Sequence, residues 1–252
     1  MCQLMGIICN YPTSPKFSFT ELRKRGGGRR FLNHSDGWGL AWFQNGRASV
    51  VKEPVPAYRS PLAAQIQCGE YPIQSRVIIG HIRTATKGAP IKENTHPFKE
   101  EMWGCDWVFA HNGILDGIFN EPLRNFMPNG KTDSEWAFCY IMDRLFYDCS
   151  PDDPVSRIRE VIKEAAEYLS SKYGTLNFLM SEGEHLFAFG DGSLYYTKRE
   201  YRENHSITLI DADWNIQVPF LKQVGEVATI IATKPLTREE TWLRIKGLKV
   251  FS

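Results

Sequence analysis

The stretch CQLMGIIC, residues 2 to 9, decides how this chain is organised, because it places an apolar strand at the very start of the sequence. The turn-forming residues Asn10, Tyr11 and Pro12 follow it and end the run. Chain termini normally fray unless they are tied into a sheet. A strand that begins at residue 2 therefore indicates that the terminus is buried and that its first residues have a function.

Short strand patterns continue through the first half of the chain. DGWGLAWFQNG (36–46) and RASVVKEP (47–54) are separated by Asn45-Gly46, which is one of the strongest short-range hairpin signals. RVIIGHI (76–82) and WVFAH (107–111) predict two more strands. We expect a sheet whose loops carry the polar residues.

Two helices are predicted next. TDSE (132–135) offers capping residues in front of apolar residues spaced for one helix face. The second helix begins near residues 152–154 and ends at Gly174, and the two helices are expected to cover one face of the sheet.

The last third of the chain returns to strand patterns. They lie at 176–181, at 184–189 joined through Gly190-Asp191-Gly192 to 194–198, at 206–210 and at 227–233. There are too few crossovers for a parallel doubly wound sheet. This order predicts a layered α+β fold with mostly antiparallel sheets, in a single domain over residues 1–252.

Composition excludes several classes of function. The 30 basic and 29 acidic residues give a net charge of +1, and three glycines interrupt the longest basic run, Arg23 to Arg30, so we expect no nucleic-acid partner. That run is interpreted as a surface loop, with a phosphate or substrate loop as the alternative. No apolar run approaches the roughly twenty residues of a membrane span, which predicts a cytoplasmic protein without a membrane partner. None of the six cysteines forms a CxxC pair, and we expect no metal and no cofactor.

Cys2 is the first candidate for chemistry. Cysteine is nucleophilic as a thiolate and needs a nearby base. Once Met1 is removed, the α-amine of Cys2 itself has a suitable pKa for that role. The alternative is that Cys2 is only a small buried hydrophobic residue.

Two other segments place polar groups where predicted strands end. Arg83, followed by Thr84 and Thr86, offers a planar fork that binds a carboxylate. Asn112-Gly113 can aim a side-chain amide and a backbone N–H at one oxygen, which would form an oxyanion hole. Asp133 either receives an ammonium group or caps its helix.

Five motifs in this order resemble those of the class II glutamine amidotransferases, which are N-terminal-nucleophile (Ntn) hydrolases. They are Cys2 behind Met1, HIRTAT (81–86), NTHPF (94–98), FAHNG (109–113) and TDSE (132–135). The chain is similar to small stand-alone members of the YafJ-like type. The resemblance implies a four-layer α/β/β/α sandwich.

The resemblance also implies roles for individual residues. Cys2 would be the nucleophile, with Asn112 and the Gly113 N–H binding the oxyanion. Arg83 would hold the α-carboxylate of glutamine and Asp133 its α-ammonium group, while Thr84, Thr86 and His96 would shape the pocket. A structural role for His96 remains open, as does simple packing for Trp38 in DGWG (36–39). Lys87 stands where many members have histidine, which leaves open a different γ-glutamyl substrate.

The function implied is hydrolysis of glutamine through a γ-glutamyl thioester on Cys2, releasing glutamate and ammonia. The ammonia would pass to a separate synthase, or the enzyme would be a self-sufficient hydrolase. Two alternatives remain: an amidohydrolase of another γ-glutamyl amide, like those of the ergothioneine pathway, and a non-catalytic glutamine-binding module. Retention of Met1 would favour the binding module.

Overall fold

A computed structural model of the chain describes residues 2–27, 34–200, 207–211 and 225–252. The strands in these ranges are β1 Gln3–Thr13, β2 Trp38–Gln44, β3 Arg47–Glu53, β4 Ser75–Ile82, β5 Phe98–Met102, β6 Cys105–Leu115, β7 Gly174–Ser181, β8 Leu186–Glu200, β9 Val227–Ala232 and β10 Leu243–Phe251. The helices are α1 Lys16–Arg25, α2 Pro61–Cys68, α3 Asp133–Asp148 and α4 Val155–Tyr173, with a 3-10 helix at Ile118–Asn120.

The strands pair antiparallel in the order β3-β2-β4-β1-β9-β8-β7-β6-β5, and β10 pairs with β8. This sheet folds back on itself. A Cβ added to Gly6 in β1 would lie 3.0 Å from the side chains of Leu179 in β7 and Leu186 in β8. The β1 half and the β7 half therefore face each other as two layers.

Among the described residues, the three large apolar cores fill the spaces between layers. Leu4 and Leu179 belong to the core between the two sheet layers. Phe19 of α1 packs with Ile7 on the outside of one layer, and Phe138 of α3 packs with Phe109 on the outside of the other. The result is a four-layer α/β/β/α sandwich, so the expected α+β fold with antiparallel sheets is confirmed.

Several local predictions are confirmed. Asn45 (φ 52°) and Gly46 (φ 74°) form the tight turn between β2 and β3, both in the left-handed region that this hairpin type requires. The Thr132 hydroxyl accepts the Glu135 N–H at 3.2 Å and so caps α3. Helix α4 ends before Gly174, and both helices cover one face of the sheet.

Other predictions were wrong or incomplete. Residues 184–198, predicted as two strands, belong largely to one long strand, β8, because the backbone continues through Gly190–Gly192 beside β10. Four elements were not predicted: α1, α2, β5 and β10. In the predicted strand 206–210, residue 206 lies outside the described residues, and Leu209 forms only an isolated bridge with Thr237.

The basic run at 23–30 was predicted to be a loop, but its first part is the end of helix α1. Arg23 donates to the carbonyls of Ala57 (3.1 Å) and Tyr58 (2.8 Å), and buried Arg25 pairs with Glu21 at 3.0 Å. These arginines stabilise the fold, which removes them from the alternative phosphate loop; residues 28–30 lie outside the described ranges. No helix in the described part of the chain is long and apolar enough to cross a membrane.

Candidate active site

Cys2 precedes β1, the strand that pairs with β4 on one side and β9 on the other. Its Sγ accepts the Thr84 N–H at 3.3 Å, and its thiol donates to the Thr84 carbonyl at 3.4 Å. Two residues after Cys2, the Leu4 N–H donates to the Thr233 hydroxyl at 2.8 Å. The start of the chain is therefore tied down from both sides. Met1 lies outside the described residues.

The surroundings of the Cys2 thiol keep it protonated. Burial raises its pKa above the ordinary value of 9.0, against the opposing effects of the Thr84 N–H and the Arg83 guanidinium, while Asp133 raises it further. A thiol in this setting needs a base to become a nucleophile. The same effects show that Arg83 and Asp133 both lie within electrostatic reach of the thiol.

Asn112 and Gly113 lie in β6, which pairs with β7. Asn112 is only 1% exposed, yet neither its side-chain oxygen nor its side-chain nitrogen has a hydrogen-bond partner among the described residues. Asn177 of β7 donates to the Asn112 carbonyl at 3.2 Å and fixes the backbone there. A Cβ at Gly113 would lie 1.9 Å from the Thr175 carbonyl oxygen, so only glycine permits this approach of the strands. The Asn112 amide is thus free to bind a ligand.

Arg83 is buried at the end of β4, and its terminal nitrogens hold the following loop. They donate to the carbonyls of Lys87 (2.9 Å), Gly88 (2.9 Å) and Ala89 (3.1 Å) in that loop, and at a longer distance to the carbonyl of Asp36 (3.5 Å). An incoming carboxylate must take the Nε–H or displace one of these carbonyls. Burial lowers the pKa of Arg83, while Cys2, Asp36 and Asp133 raise it.

The rest of this loop borders the same region. The Thr84 hydroxyl oxygen is buried without a partner in the part of the chain that the structure describes, whereas Thr86 is exposed. Lys87 extends away and pairs with Asp116 at 2.6 Å, across from the end of β6. In this conformation the charge of Lys87 is paired with Asp116 and is not available to a substrate pocket.

Asp133 is buried at the first position of α3. Its two oxygens accept the N–H groups of Leu115 and Ser134, each at 2.9 Å. Because Thr132 supplies the helix cap, Asp133 is not the capping residue. The Ser134 hydroxyl also donates to Asp133 Oδ1, at 3.5 Å, so Oδ2 is the oxygen that keeps capacity for a further donor.

His96 lies in a cluster of three buried histidines. Its ring packs at a tilt against His81 and Phe98, with ring centroids 4.1 Å and 4.4 Å apart. His81 Nε2 bonds the His111 carbonyl oxygen at 3.0 Å, and His111 Nδ1 bonds the Ser134 hydroxyl at 2.9 Å. Burial lowers the pKa of His81 to about 3 and shifts the pKa values of His96 and His111 below 6.5. The three rings are neutral near pH 7.

The DGWG segment braces the site from behind. The Asp36 carboxylate accepts the Ala85 N–H at 2.8 Å, next to the residue that touches Cys2. A Cβ at Gly39 would lie 2.2 Å from the His96 carbonyl oxygen, which explains the glycine there. Trp38 is fully buried and donates its indole N–H to Glu53 at 3.0 Å, so it is a packing residue.

Sequence reasoning missed three residues that hold the site together. Asp36 and Asn94 both lie inside quoted motifs, so the motifs were the available signal, but their side-chain partners were not predictable from them. Asn177 had no signal at all. No group of three or more His, Cys, Asp or Glu side chains in the described residues is arranged to hold a metal ion.

Comparison with known proteins places these features in context. The family model described as class II glutamine amidotransferases matches residues 1–251. YafJ of Escherichia coli strain K12, named only provisionally as a glutamine amidotransferase, is 39% identical over 247 residues, which cover 97% of this chain and 94% of YafJ.

Two solved structures are similar to this chain in fold. A protein from Pseudomonas aeruginosa, assigned as a glutamine amidotransferase by prediction, superposes with a TM-score of 0.71 at 33% identity, covering 99% of this chain and 97% of that one. The glutamine phosphoribosylpyrophosphate amidotransferase of B. subtilis superposes with a TM-score of 0.58 at 17% identity, covering 99% of this chain and 49% of that one. The second likeness shows the fold alone.

Proposed function

Because the chain belongs to the class II glutamine amidotransferase family, we propose that it hydrolyses the side-chain amide of glutamine through a γ-glutamyl thioester on Cys2. The observation that carries the proposal is the buried Asn112 amide, which has no partner within the described ranges. The electrostatic effects of Arg83 and Asp133 on the Cys2 thiol support it. The match over residues 1–251 supports one amidotransferase domain spanning residues 1–252.

The chemistry begins with removal of Met1. The free α-amine of Cys2 takes the thiol proton, and the thiolate attacks the side-chain carbonyl carbon of glutamine. The tetrahedral oxyanion accepts hydrogen bonds from the Asn112 side chain and the Gly113 N–H. When the C–N bond of the substrate amide breaks, the α-ammonium group of Cys2 gives its proton to the leaving nitrogen, and ammonia departs. Water, deprotonated by the same amine, then hydrolyses the thioester to glutamate.

The charged residues would fix the substrate. Arg83 takes the α-carboxylate and Asp133 the α-ammonium group, through the Nε–H and the lone-pair positions that remain available. The Thr84 hydroxyl is buried and lacks a partner in the described ranges, and it would contact the substrate near the reacting amide. Thr86 is exposed and would border the entrance to the pocket. His96, neutral and packed against His81, would help to shape the pocket wall.

Reaction with 6-diazo-5-oxo-norleucine, a glutamine analogue with an electrophilic carbon, tests this proposal. We expect an intact mass that lacks Met1, a single adduct mapping to Cys2, and ammonia release from glutamine that the Cys2→Ala variant abolishes. Retained Met1 with no adduct would reject catalysis in favour of a glutamine-binding module. Amine release from γ-glutamyl conjugates without ammonia release from glutamine would instead assign the other amide substrates. A stimulation of glutamine hydrolysis by a co-purifying synthase would identify an ammonia acceptor.

A further inference from the structure

Asn94 lies between the two charged residues of the site and is hydrogen-bonded toward both. Its side chain is 1% exposed. Its Nδ2 donates to the Ala89 carbonyl at 3.0 Å, and its Oδ1 accepts the Lys131 N–H at 2.8 Å. The Ala89 carbonyl also accepts from Arg83 at 3.1 Å, and Lys131 is two residues before Asp133. A chain of hydrogen bonds therefore runs from Arg83 to Lys131, in the loop directly before α3.

The space around Asn94 is filled by close backbone on both sides. A Cβ added to Gly88 would lie 2.8 Å from Asn94 Nδ2, and one added to Gly130 would lie 2.4 Å from Asn94 Oδ1. Two glycines thus bring the Arg83 loop and the loop before α3 directly against the amide. No other residue type fits at either position without displacing the Asn94 side chain.

The two ends of Asn94 differ in what they hold. The loop before α3 is already fixed by Glu135, whose carboxylate accepts the N–H groups of Asn129 (3.1 Å) and Gly130 (2.7 Å). The loop at 87–89 is held over Arg83 by that guanidinium and by Asn94. Asn94 therefore fixes the position of the Arg83 loop relative to the rigid helix that carries Asp133.

We propose that Asn94 is a positioning residue that sets the distance between Arg83 and Asp133. It thereby makes the site selective for side-chain amides whose α-carboxylate and α-ammonium groups are both free. This inference rests on the proposed function, because it assigns those two charges to Arg83 and Asp133. Two charges held at a fixed spacing favour a ligand with matching charges, since reorganisation on binding is small. The neutral side-chain amide of Asn94 makes its two hydrogen bonds, with the Ala89 carbonyl and the Lys131 N–H, without adding a charge to the site.

Two substitutions separate the two contacts. Asn94→Asp keeps an acceptor for the Lys131 N–H but loses the donor to the Ala89 carbonyl, so it releases only the Arg83 loop. Asn94→Ala loses both contacts. Asn129→Asp is the matched control, because it introduces the same charge on the neighbouring loop at an exposed side chain.

The rate of Cys2 modification is measured with two reagents and mapped by peptide mass. One is 6-diazo-5-oxo-norleucine, which carries both α-charges, and the other is iodoacetamide, which carries neither. For Asn94→Asp we expect the first rate to fall by roughly tenfold to a hundredfold while the iodoacetamide rate stays unchanged. Asn94→Ala should fall at least as far with the first reagent, and Asn129→Asp should match the unsubstituted protein with both.

Three results would overturn the inference. An unchanged rate with the glutamine analogue in both Asn94 variants would show that Asn94 positions nothing. An equal fall with both reagents would show general damage, and a faster reaction with the analogue would show that the contact blocks the site. Failure of the proposed function is visible separately: the unsubstituted protein would then form no analogue adduct on Cys2, and the inference would fall with it.

Discussion

Asn112 and His96 are both buried, and both carry polar side-chain atoms without partners in the described part of the chain, but their surroundings differ. His96 is enclosed by two aromatic rings and stays neutral, because burial holds its pKa well below 6.5. Asn112 sits in the strand whose next residue, Gly113, is proposed as the second oxyanion donor. An unpartnered amide donor loses nothing by staying in place as charge develops, which suits it to an oxyanion hole.

Replacing Asn112 by alanine tests that role. We expect kcat for glutamine hydrolysis to fall by roughly a hundredfold to a thousandfold, because one oxyanion donor is lost. KM should change little, since the ground-state carbonyl needs that donor less than the transition state does. Steady-state kinetics with ammonia detection gives both constants. A raised KM with an unchanged kcat would instead assign Asn112 to substrate binding.

The pH dependence of Cys2 reactivity tests the electrostatics of the site. Burial raises the pKa of this thiol, so its neutral form persists at pH values where an ordinary thiol with a pKa of 9.0 already ionises. In protein that retains Met1, and so lacks the free Cys2 α-amine as a base, iodoacetamide alkylation of Cys2 should therefore keep accelerating with pH beyond pH 9, by about tenfold per unit while the thiol is mostly protonated. The rate is followed by peptide mass between pH 6 and 10. A plateau below pH 8 would contradict a thiol kept neutral by burial.

The sequence singled out Cys2, Arg83, Asn112 and Asp133 as candidates because each belongs to a recognisable motif. It did not show which of their polar atoms are already in use. Arg83 holds three loop carbonyls, and Asp133 holds two backbone N–H groups, through contacts that depend on how the chain folds. Which polar atoms already have hydrogen-bond partners depends on how the loops fold, and residue spacing does not predict it.

At the scale of elements, β2 lies unusually close to the segment that carries His96. The Gly39 position faces the His96 carbonyl, 2.2 Å from where a Cβ would sit, and Pro97 Cδ at 2.9 Å. Both neighbours are ring or backbone atoms with little freedom to move. The β2 strand thus sets the position of the 94–97 segment, which includes Asn94.

Gly39→Ala should consequently lower the free energy of unfolding by about 2–4 kcal/mol, because the clash is with backbone. Gly46→Ala is the control: nothing lies within 4 Å of its added Cβ, so only its positive φ of 74° counts. That cost should stay near 1–2 kcal/mol. Urea denaturation measures both. Equal losses in the two variants would show that the close approach at Gly39 relaxes readily.

Prediction at this scale succeeded where a local signal specified an element. The Asn45-Gly46 turn and the Thr132 cap each act within a few residues. Helix α1 was missed because its charged residues imply a surface loop, whereas Arg25 is buried against Glu21 and the carbonyls of Lys234 and Pro235. Such long-range partners decide the burial of a charged helix, and no sequence window contains them.

At the scale of the whole molecule, the histidine cluster links the two sheet layers. His81 belongs to β4 and His111 to β6, and the bond from the His81 ring to the His111 carbonyl joins the layers beside the site. All three rings are buried and neutral. The resemblance and the strand pattern predicted the sandwich, but neither indicated that a polar, uncharged cluster would lie inside it.

Buried neutral histidines make stability depend on pH with a definite sign. Each folded pKa lies below the ordinary value of 6.5, so the unfolded chain takes up protons that the folded protein does not. Stability is therefore complete above about pH 6.5 and is lost as the pH falls toward the lowered values, which for His81 is about 3. Each histidine contributes up to about 1.4 kcal/mol per pH unit, so the three together contribute up to roughly 4 kcal/mol per pH unit.

His96→Phe isolates one member of this cluster, because the His96 ring packs against two aromatic rings and its nitrogens have no partners in the described residues. At pH 7.5 we expect the variant to lose about 1–3 kcal/mol of stability, because the larger phenyl ring must fit into a closely packed site. Below pH 6.5 its unfolding free energy should fall less steeply than that of the unsubstituted protein, by about one proton. Urea denaturation at pH 7.5, 6.5 and 5.5 measures that slope. Identical slopes would mean that His96 is already protonated in the folded protein or is not buried there, and the neutral cluster would then have to be abandoned as the source of acid sensitivity.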